Sequence, residues 1–492
     1  MPVSTKIETA RFGFPKKTGY SVSHWLQSAK EDPLLIHRTT SELPATADVV
    51  IIGSGMSGTL MAKHVMATWP EKTVVVLEAR QFCSGATGRN AGHCKPDQWR
   101  GFRGWEGAFG TEQALKILQN EQETWSNVVH YITENNVDCE LWVGDTLNVP
   151  MTDEAAKIAQ ETFDSYHAAG GNVDHIKVTH DPTLAAEKSQ IKDAKACYAW
   201  PASTLNPWKL AAHLMRENLK KGLNLQTNTL VTGIQSSQNS VGNWIVKSDR
   251  GDIECPQVIH ATNAYSSALE PSLRGIIIPS PHICTKVTPP SENKSYAKLN
   301  NSYGIMMPKG DLITIDPRAT EECPVLFGGS NPGQHSFQQW LHEHPDQYID
   351  DGIVEFEPIT GAVREFAERQ LEGWSIDDNN NDSACMSSWS GIIGYASVEF
   401  DNFHENVLII GQTLDKVPFV GEIPGLGGQW ICAGHNGHGM ARIFTAAPAL
   451  VKLMKGCSWA ETKLPEVFQI TQSRLDRLKT PLKNKRDVIT RL

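Results

Sequence analysis

The stretch DVVIIGSGMSGTLMAKHVMATWPEKTVVVLEAR, residues 48–80, decides the fold of this 492-residue chain. Val49 to Ile52 is an apolar run of strand length, suited to burial on both faces, and the spacing from Met56 to Trp69 predicts a helix. A second apolar run, Val74 to Leu77, predicts a parallel neighbour. Between the two strands lies GSGMSG. Gly53 permits a tight turn, Gly55 lets backbone approach a pyrophosphate, and Gly58 lets the helix pack on the strand. Met56 and Ser57 open the helix, whose first N–H groups point toward phosphate. Glu78 follows Gly58 by 20 positions, where a carboxylate accepts from a ribose diol and disfavours a 2′-phosphate; Ala79 and Arg80 finish that strand end. The glycine pattern alone fits a tight turn in any α/β protein. With strand, helix, strand and terminal acid all in place, it predicts dinucleotide binding.

The chain on either side departs from a nicotinamide dehydrogenase, which would continue in alternating strands and helices. After Glu78 comes QFCSGATGRNAGHCKPD, too rich in glycine and polar residues for a regular element and therefore a shaped loop. Residues 222–269 read as short alternating strands with a turn near Asp249 to Asp252, closing on an apolar strand from Gln257 to Ala261. Near the far end, GQWICAGHNGHGMAR, residues 428–442, sets two histidines among close glycines. A metal site, a histidine pair and a loop cleared for a flat cofactor all fit that spacing. A βαβ unit completed from the middle and far end of the chain is a flavoprotein arrangement.

These segments together resemble the D-amino-acid oxidase superfamily of FAD-dependent oxidoreductases, most closely its fungal branch related to sarcosine, glycine and γ-glutamylputrescine oxidases. The resemblance runs from about residue 20 to about residue 456 and lies in four motifs in order: 48–80, SGATGRNAGH, VIHATNAYS and AGHNGHGM. It implies an α/β fold: a Rossmann-like FAD domain from discontinuous segments (46–94, 221–275, 396–460) and a mixed or antiparallel-sheet substrate domain (95–220, 276–395). A leader (1–45) would wrap the body, and a helical tail (461–492) would follow. Gly85, Ala86, Thr87, Gly88, Asn90, Ala91 and Gly92 are implied to line the pyrophosphate, ribityl chain and ring. Arg89 is implied to reach the flavin edge or a substrate carboxylate, for which its planar fork is suited, or else to satisfy loop carbonyls. His93 and Lys95 lie beside the same place. Val231, Ala261, Thr262, Asn263 and Ala264 are assigned to the cofactor as well. Gly434, His435, Asn436, Gly437, His438, Gly439 and Met440 would bring backbone N–H groups to the pyrimidine end, the glycines because a Cβ would strike the ring. The helix expected from about Met440, ending near Gly456, would stabilise negative charge there. SSWSGIIGY, residues 387–395, resembles the strand returning to the flavin, with Trp389 and Tyr395 as pocket wall or core. His435 joins Arg89, His93, Trp389 and Tyr395 as a candidate catalytic residue. No metal is expected, because His435 and His438 lack a third ligand nearby.

The resemblance implies oxidation of a C–N bond in a small amine or amino acid. Hydride passes to flavin N5, water hydrolyses the imine, and O2 is reduced to H2O2. A flavin dehydrogenase with another acceptor, an NADPH-dependent hydroxylase and a non-catalytic flavin-binding redox sensor are the alternatives. FAD is expected without a covalent tether. The positions that carry a cysteine or histidine in tethered relatives are here Ile392, Ile393, Gly394 and Arg89, although Cys94, His93 and Cys284 lie close by in the motifs. The pattern departs where SVEFDNFHENVLIIGQTL intervenes before Asp415, near the entrance of the site.

Composition sets outer bounds. A net charge of −10 without a basic tract argues against nucleic acid. No apolar run approaches the roughly 20 residues of a membrane span, and no signal peptide opens the chain. The ten cysteines form no CxxC pair. A monomer or dimer in the cytosol or an organelle matrix is expected, with Thr490-Arg491-Leu492 as a weak peroxisomal ending.

Overall fold

The computed structural model describes residues 13–238, 240–289, 298–318, 323–376, 384–396 and 415–479. Val49–Ile52 and Val74–Leu77 are strands with all eight residues buried, paired in parallel as the apolar runs require. Gln257–His260 joins Val49–Ile52 from the other side, also in parallel. Asn224–Gln226 extends the sheet beyond Val74–Leu77, and Gln429–Ala433 extends it beyond Gln257–His260. Phe419–Glu422 closes that edge antiparallel, giving six strands. The first helix is Met56–Thr68; Trp69 is its C-cap because the following Pro70 disfavours helical backbone at the residue before it. The strands Val231–Ser236, Trp244–Ser248 and Gly251–Cys255 form a separate three-stranded antiparallel sheet.

A second large sheet holds nine strands, among them Trp142–Pro150, Cys197–Thr204, Ile277–Thr288, Ser302–Met306, Leu312–Pro317, Val325–Gly328 and Cys385–Ala396. Its two faces differ because side chains alternate along each strand. One face carries Leu147, Val149, Tyr303, Ile305, Ile313, Ile315 and Phe327, packed with Val363 and Phe366 of the helix Glu357–Gln370. The other carries Thr146, Asn148, Ser302, Gly304, Thr314, Asp316 and Gly328, placed side by side by the pairings Ser302↔Thr146, Gly304↔Asn148, Gly304↔Thr314 and Thr314↔Gly328. A buried face this polar needs partners beyond the sheet itself.

The helices Thr111–Glu134 and Pro207–Lys220, which fall in the range the sequence assigns to the substrate domain, also pack against helices beside the first sheet, Ile443–Met454 and Met56–Thr68 respectively. Their apolar stripes, including Ile117, Val128, Leu210 and Leu214, share one core with Met56, Leu60 and Val65, because that first helix is apolar on more than its strand-facing side. The C-terminal segment is packed on the body as far as Lys479. The helix Gln472–Lys479 is tied back where Arg474 donates to both oxygens of Asp415 at 2.9 and 2.8 Å. The rest of that segment, the insertion over 397–414 and the ending at 490–492 fall outside the described residues. Among the described residues no helix is long and apolar enough to cross a membrane.

Candidate active site

Gly53 has φ +105°, a conformation that only glycine adopts readily, and a Cβ there would stand 2.7 Å from Ala261 O. A Cβ on Gly58 would stand 1.9 Å from Gly53 O, so helix and strand touch through that glycine. The helix begins without a side-chain cap and with no acid in its first turn; Thr87 Oγ1 accepts from Met56 N at 3.0 Å. The following N–H groups of that turn, with the positive end of the helix behind them, suit a phosphate. Glu78 Oε2 accepts from Ser54 N and Oγ at 2.9 and 2.8 Å, while Oε1 accepts from Arg80 N at 3.0 Å and keeps a lone pair for a ribose hydroxyl. These residues fit a dinucleotide. Ala79 is half-buried beside Glu78, and the Val231 side chain lies in the core with Val50, Val75 and Leu77.

Two arginines of the predicted site turn their side chains inward. Arg89 is 1% exposed, and its guanidinium donates to Ser84 O (2.6 Å), Ser21 Oγ (3.0 Å), Ser390 O (2.8 Å) and Ser21 O (2.8 Å), with Asp351 Oδ2 at 3.6 Å. It satisfies carbonyls, the second of the two roles the sequence leaves open. Arg80 likewise turns its side chain inward, donating to Asp351 Oδ2 at 2.8 Å and Ser84 O at 3.3 Å. Both guanidinium groups lie over the Tyr20 ring. The leader, short of positive sequence signals, thus clasps the cofactor loop: Ser23 Oγ donates to Gly88 O, and Trp25 Nε1 to Asn90 O at 2.6 Å. Asn90 turns its own amide back onto the loop, donating to Thr87 O at 3.0 Å and accepting from Gly92 N at 2.8 Å. Trp389 presses from the opposite side, its indole donating to Arg89 O at 2.8 Å, so it is a brace in the core. Tyr395 pairs with Ile278 through backbone; its side chain falls outside the described ones.

The turn at 434–440 is pinned by Asn263, whose Oδ1 accepts from Gly434 N at 3.0 Å and His435 N at 3.1 Å. Gly434 and Gly437 have φ +73° and +78°, so backbone conformation already demands glycine there. A Cβ on Gly439 would meet Ile443 Cδ1 at 3.1 Å. His435 is buried, with Nε2 3.3 Å from Ser57 Oγ, and so belongs to the cradle around the first helix. Burial, then the nearby Arg442 charge, pushes its pKa down to about 3, and the ring is neutral. The helix starts later than expected, at Ile443, because Gly439–Ala441 winds as a 3-10 turn and Arg442 caps the helix. Arg442 is 1% exposed and pairs with Glu121 at 3.0 Å; His438 Nδ1 lies 3.8 Å from the same carboxylate. The Glu121–Arg442 pair escaped the sequence reading, since its members lie 321 residues apart.

The two sheets meet at this turn. Asn436 N donates to Gly394 O at 3.1 Å, and a Cβ on Gly394 would stand 2.9 Å from Ala264 N and 3.2 Å from the carbonyl carbon of Asn263, which follows Thr262. Cys94 Sγ lies 3.6 Å from Met440 O. The polar face of the second sheet lies against the cofactor loop, since a Cβ on Gly328 would meet Ala91 Cβ at 3.2 Å. His93 Nδ1 is 3.3 Å from Ser302 Oγ, and burial holds its pKa well below the usual value. Lys95 Nζ donates to Tyr303 O at 3.0 Å; burial, then the neighbouring Arg100 charge, lowers its pKa to about 7. Asp316 pairs with Arg318 at 3.2 Å, yet burial raises its pKa to about 6. Asn148 was missed because, within the apolar run TLNVPM, an asparagine reads as an irregularity.

A family model described as "DAO: FAD dependent oxidoreductase" matches residues 48–453. The chain is 26% identical over 232 residues to gamma-glutamylputrescine oxidoreductase of Escherichia coli (strain K12), covering 46% of this chain and 52% of that protein. It thus spans about half the length of that curated relative. Glycine oxidase from Geobacillus kaustophilus superposes with a TM-score of 0.62 at 18% identity, over 87% of this chain and 99% of that one. L-proline dehydrogenase from P. horikoshii superposes with a TM-score of 0.58 at 18% identity, over 88% and 99%. At those identities the structural likeness speaks for the fold.

Proposed function

Because the chain belongs to the DAO family of FAD-dependent oxidoreductases, we propose that it oxidises the C–N bond of a small amine or amino acid to an imine, which water then hydrolyses. The observation that carries this reading is the seam: the turn pinned by Asn263 meets Gly394 of the second sheet, beside a buried polar face. A cofactor's reactive end and a small polar substrate would meet there. Gly53, Gly55, Met56, Ser57 and Gly58 would hold the pyrophosphate, Glu78 the adenosine ribose, residues 85–92 the middle of the cofactor and residues 434–440 the pyrimidine end. FAD, when bound, supplies the acceptor for the hydride.

The chain's own residues supply orientation, dryness and charge. An amine loses hydride readily only with its lone pair free. The burial and the neighbouring Arg100 charge that lower Lys95 to about 7 act in the same direction on a substrate ammonium, so no dedicated protein base is needed. His435, neutral and buried, holds the turn against the first helix.

We favour molecular oxygen as the final acceptor, with hydrogen peroxide as product. The test is an anaerobic panel of amines and amino acids, read as loss of the flavin's visible band and followed by peroxide yield in air. Bleaching without peroxide would point to another acceptor. No bleaching by any amine would sink the reading and leave a redox sensor.

A further inference from the structure

At the antiparallel edge of the first sheet, a groove of about 210 Å³ opens between the strands Phe419–Glu422 and Gln429–Ala433 and the last turn of the helix Ile443–Met454. Two indoles line it, Trp430 and Trp459, together with Leu453 and Ile470. Both rings are held before anything binds. Trp430 Nε1 donates to Gln257 Oε1 at 2.7 Å, and Trp459 opens the short helix Trp459–Thr462, which the capping box of Ser458 and Glu461 fixes. Walls set in advance spare a ligand the cost of ordering them. Glu422 faces Trp430 across the strand pair, so a carboxylate stands beside that indole. Its Oε1 accepts from Gly428 N at 2.7 Å, and among the described residues it has no cationic partner. Lys452, next to Leu453 in the chain, donates to Glu461 O at 3.4 Å instead.

Indole faces attract cations through the negative face of the ring, and a carboxylate adds a full charge. The class of cation follows from what the groove lacks. A primary ammonium brings three N–H donors, each in need of an acceptor, whereas these walls offer the Glu422 carboxylate, the Gln469 amide and otherwise hydrocarbon and aromatic surface. A fully methylated ammonium carries its charge with no donor to satisfy, and its methyl groups suit Leu453 and Ile470. Size and surroundings limit the rest. The volume falls below the about 300–1,000 Å³ of drug-sized sites. Among the described residues, none of the large apolar side chains exposed elsewhere, Ile36, Val143, Leu184 and Val241 among them, lines the groove, so it lacks the surrounding apolar patch of a protein interface. A free small ion fits better than a methylated side chain on a partner. The groove also stands apart from the turn at 434–440, since the helix from Ile443 to Leu453 spans about 15 Å.

We propose that this groove is a second binding site, separate from the reaction centre, for a small quaternary ammonium ion. It goes beyond the amine-oxidation reading and does not rest on it. The FAD-loaded protein is titrated with choline, with neohexyl alcohol, in which carbon replaces the nitrogen, and with ethanolamine, its primary-amine counterpart. Isothermal calorimetry, tryptophan fluorescence and the flavin's visible band are the readouts. Choline should bind at least tenfold tighter than neohexyl alcohol and at least threefold tighter than ethanolamine, changing tryptophan fluorescence and leaving the visible band unmoved. One exposed cation–π contact or ion pair is worth up to roughly a factor of five. Trp459→Ala and Glu422→Gln should therefore each weaken choline at least threefold while FAD content stays the same. Glu422 is exposed, and glutamine keeps an acceptor for Gly428 N, so that variant folds even where Trp459→Ala does not. Choline that binds no tighter than either comparison compound overturns the proposal, as does choline that binds Glu422→Gln with unchanged affinity. A choline-dependent shift or bleaching of the visible band would put the cation at the flavin and overturn it equally.

Discussion

Arg89→Ala removes a guanidinium that is 1% exposed and holds four acceptors: Ser84 O, Ser390 O, and the carbonyl and hydroxyl of Ser21. These acceptors stay buried and lose their donor, and Asp351 keeps only Arg80 as its ion-pair partner among the described residues. Breaking a buried ion pair from one side costs about 3–5 kcal/mol, and the deserted carbonyls add to it. With about 2.1 cal/mol/K of unfolding entropy per residue, a chain this long loses roughly 3–5 °C of Tm if it unfolds as one unit. The loss concentrates at residues 84–90, which must be ordered for a cofactor to lie on them, so FAD affinity should fall by about tenfold for each ~1.4 kcal/mol that reaches the loop. Differential scanning fluorimetry and fluorescence of released FAD read the two effects. Arg89→Lys should recover part of the charge but little of the geometry, since an ammonium cannot span the same four acceptors. The reasoning fails if Arg89→Ala keeps its Tm and FAD while raising KM only for carboxylate substrates, which is how a substrate anchor behaves.

Four further outcomes follow from the geometry. Gly58→Ala, whose Cβ would stand 1.9 Å from Gly53 O, should yield protein without flavin; a yellow preparation with normal FAD content would contradict the packing. Asn263→Ala strips the acceptor from Gly434 N and His435 N and should cost about 1–3 kcal/mol, seen as earlier FAD release on heating. His435 has its pKa depressed from 6.5 to about 3, so its contribution is complete above pH ~6.5 and lost as pH falls toward 3. The unmodified protein should therefore lose about 2 kcal/mol between pH ~7.5 and ~5 that His435→Asn does not lose, measured by urea titration at both values. Acid precipitation should leave a white pellet and a yellow supernatant, because Cys94 and Cys284 are buried thiols with pKa values pushed up to about 12; a flavin-mass adduct on one peptide would overturn that.

The unit at residues 48–80 was legible because its signals are local: apolar runs, a glycine spacing and an acid at a fixed offset. The strands Val49–Ile52 and Val74–Leu77 lie where those runs place them. Arg89 was left between two readings for the opposite reason. Its partners Ser21 and Ser390 lie 68 and 301 residues away, and an arginine in a glycine-rich loop carries no local mark of burial. Asn148 stayed hidden because its place depends on strand pairing, which sets it beside Gly304. The later start of the helix at Ile443 reflects the same limit, since Arg442 becomes a cap only once Glu121 draws it inward.

The clasp on the cofactor loop has a consequence for how the protein is made. Ser21 reaches Ser390 across 369 residues, and Ser57 reaches His435 across 378. At ribosomal speeds of about 5–20 residues per second, the second of these contacts waits roughly 20–75 s after Ser57 has been polymerised. During that interval the glycine turn and the first helix exist without the segments that finish the cradle. Completion of the cradle is therefore a late event in synthesis, and a chain cut short before residue 435 would offer the loop at 84–90 to proteases unguarded. Yellow colour in the purified protein thus reports chains made at least as far as residue 435.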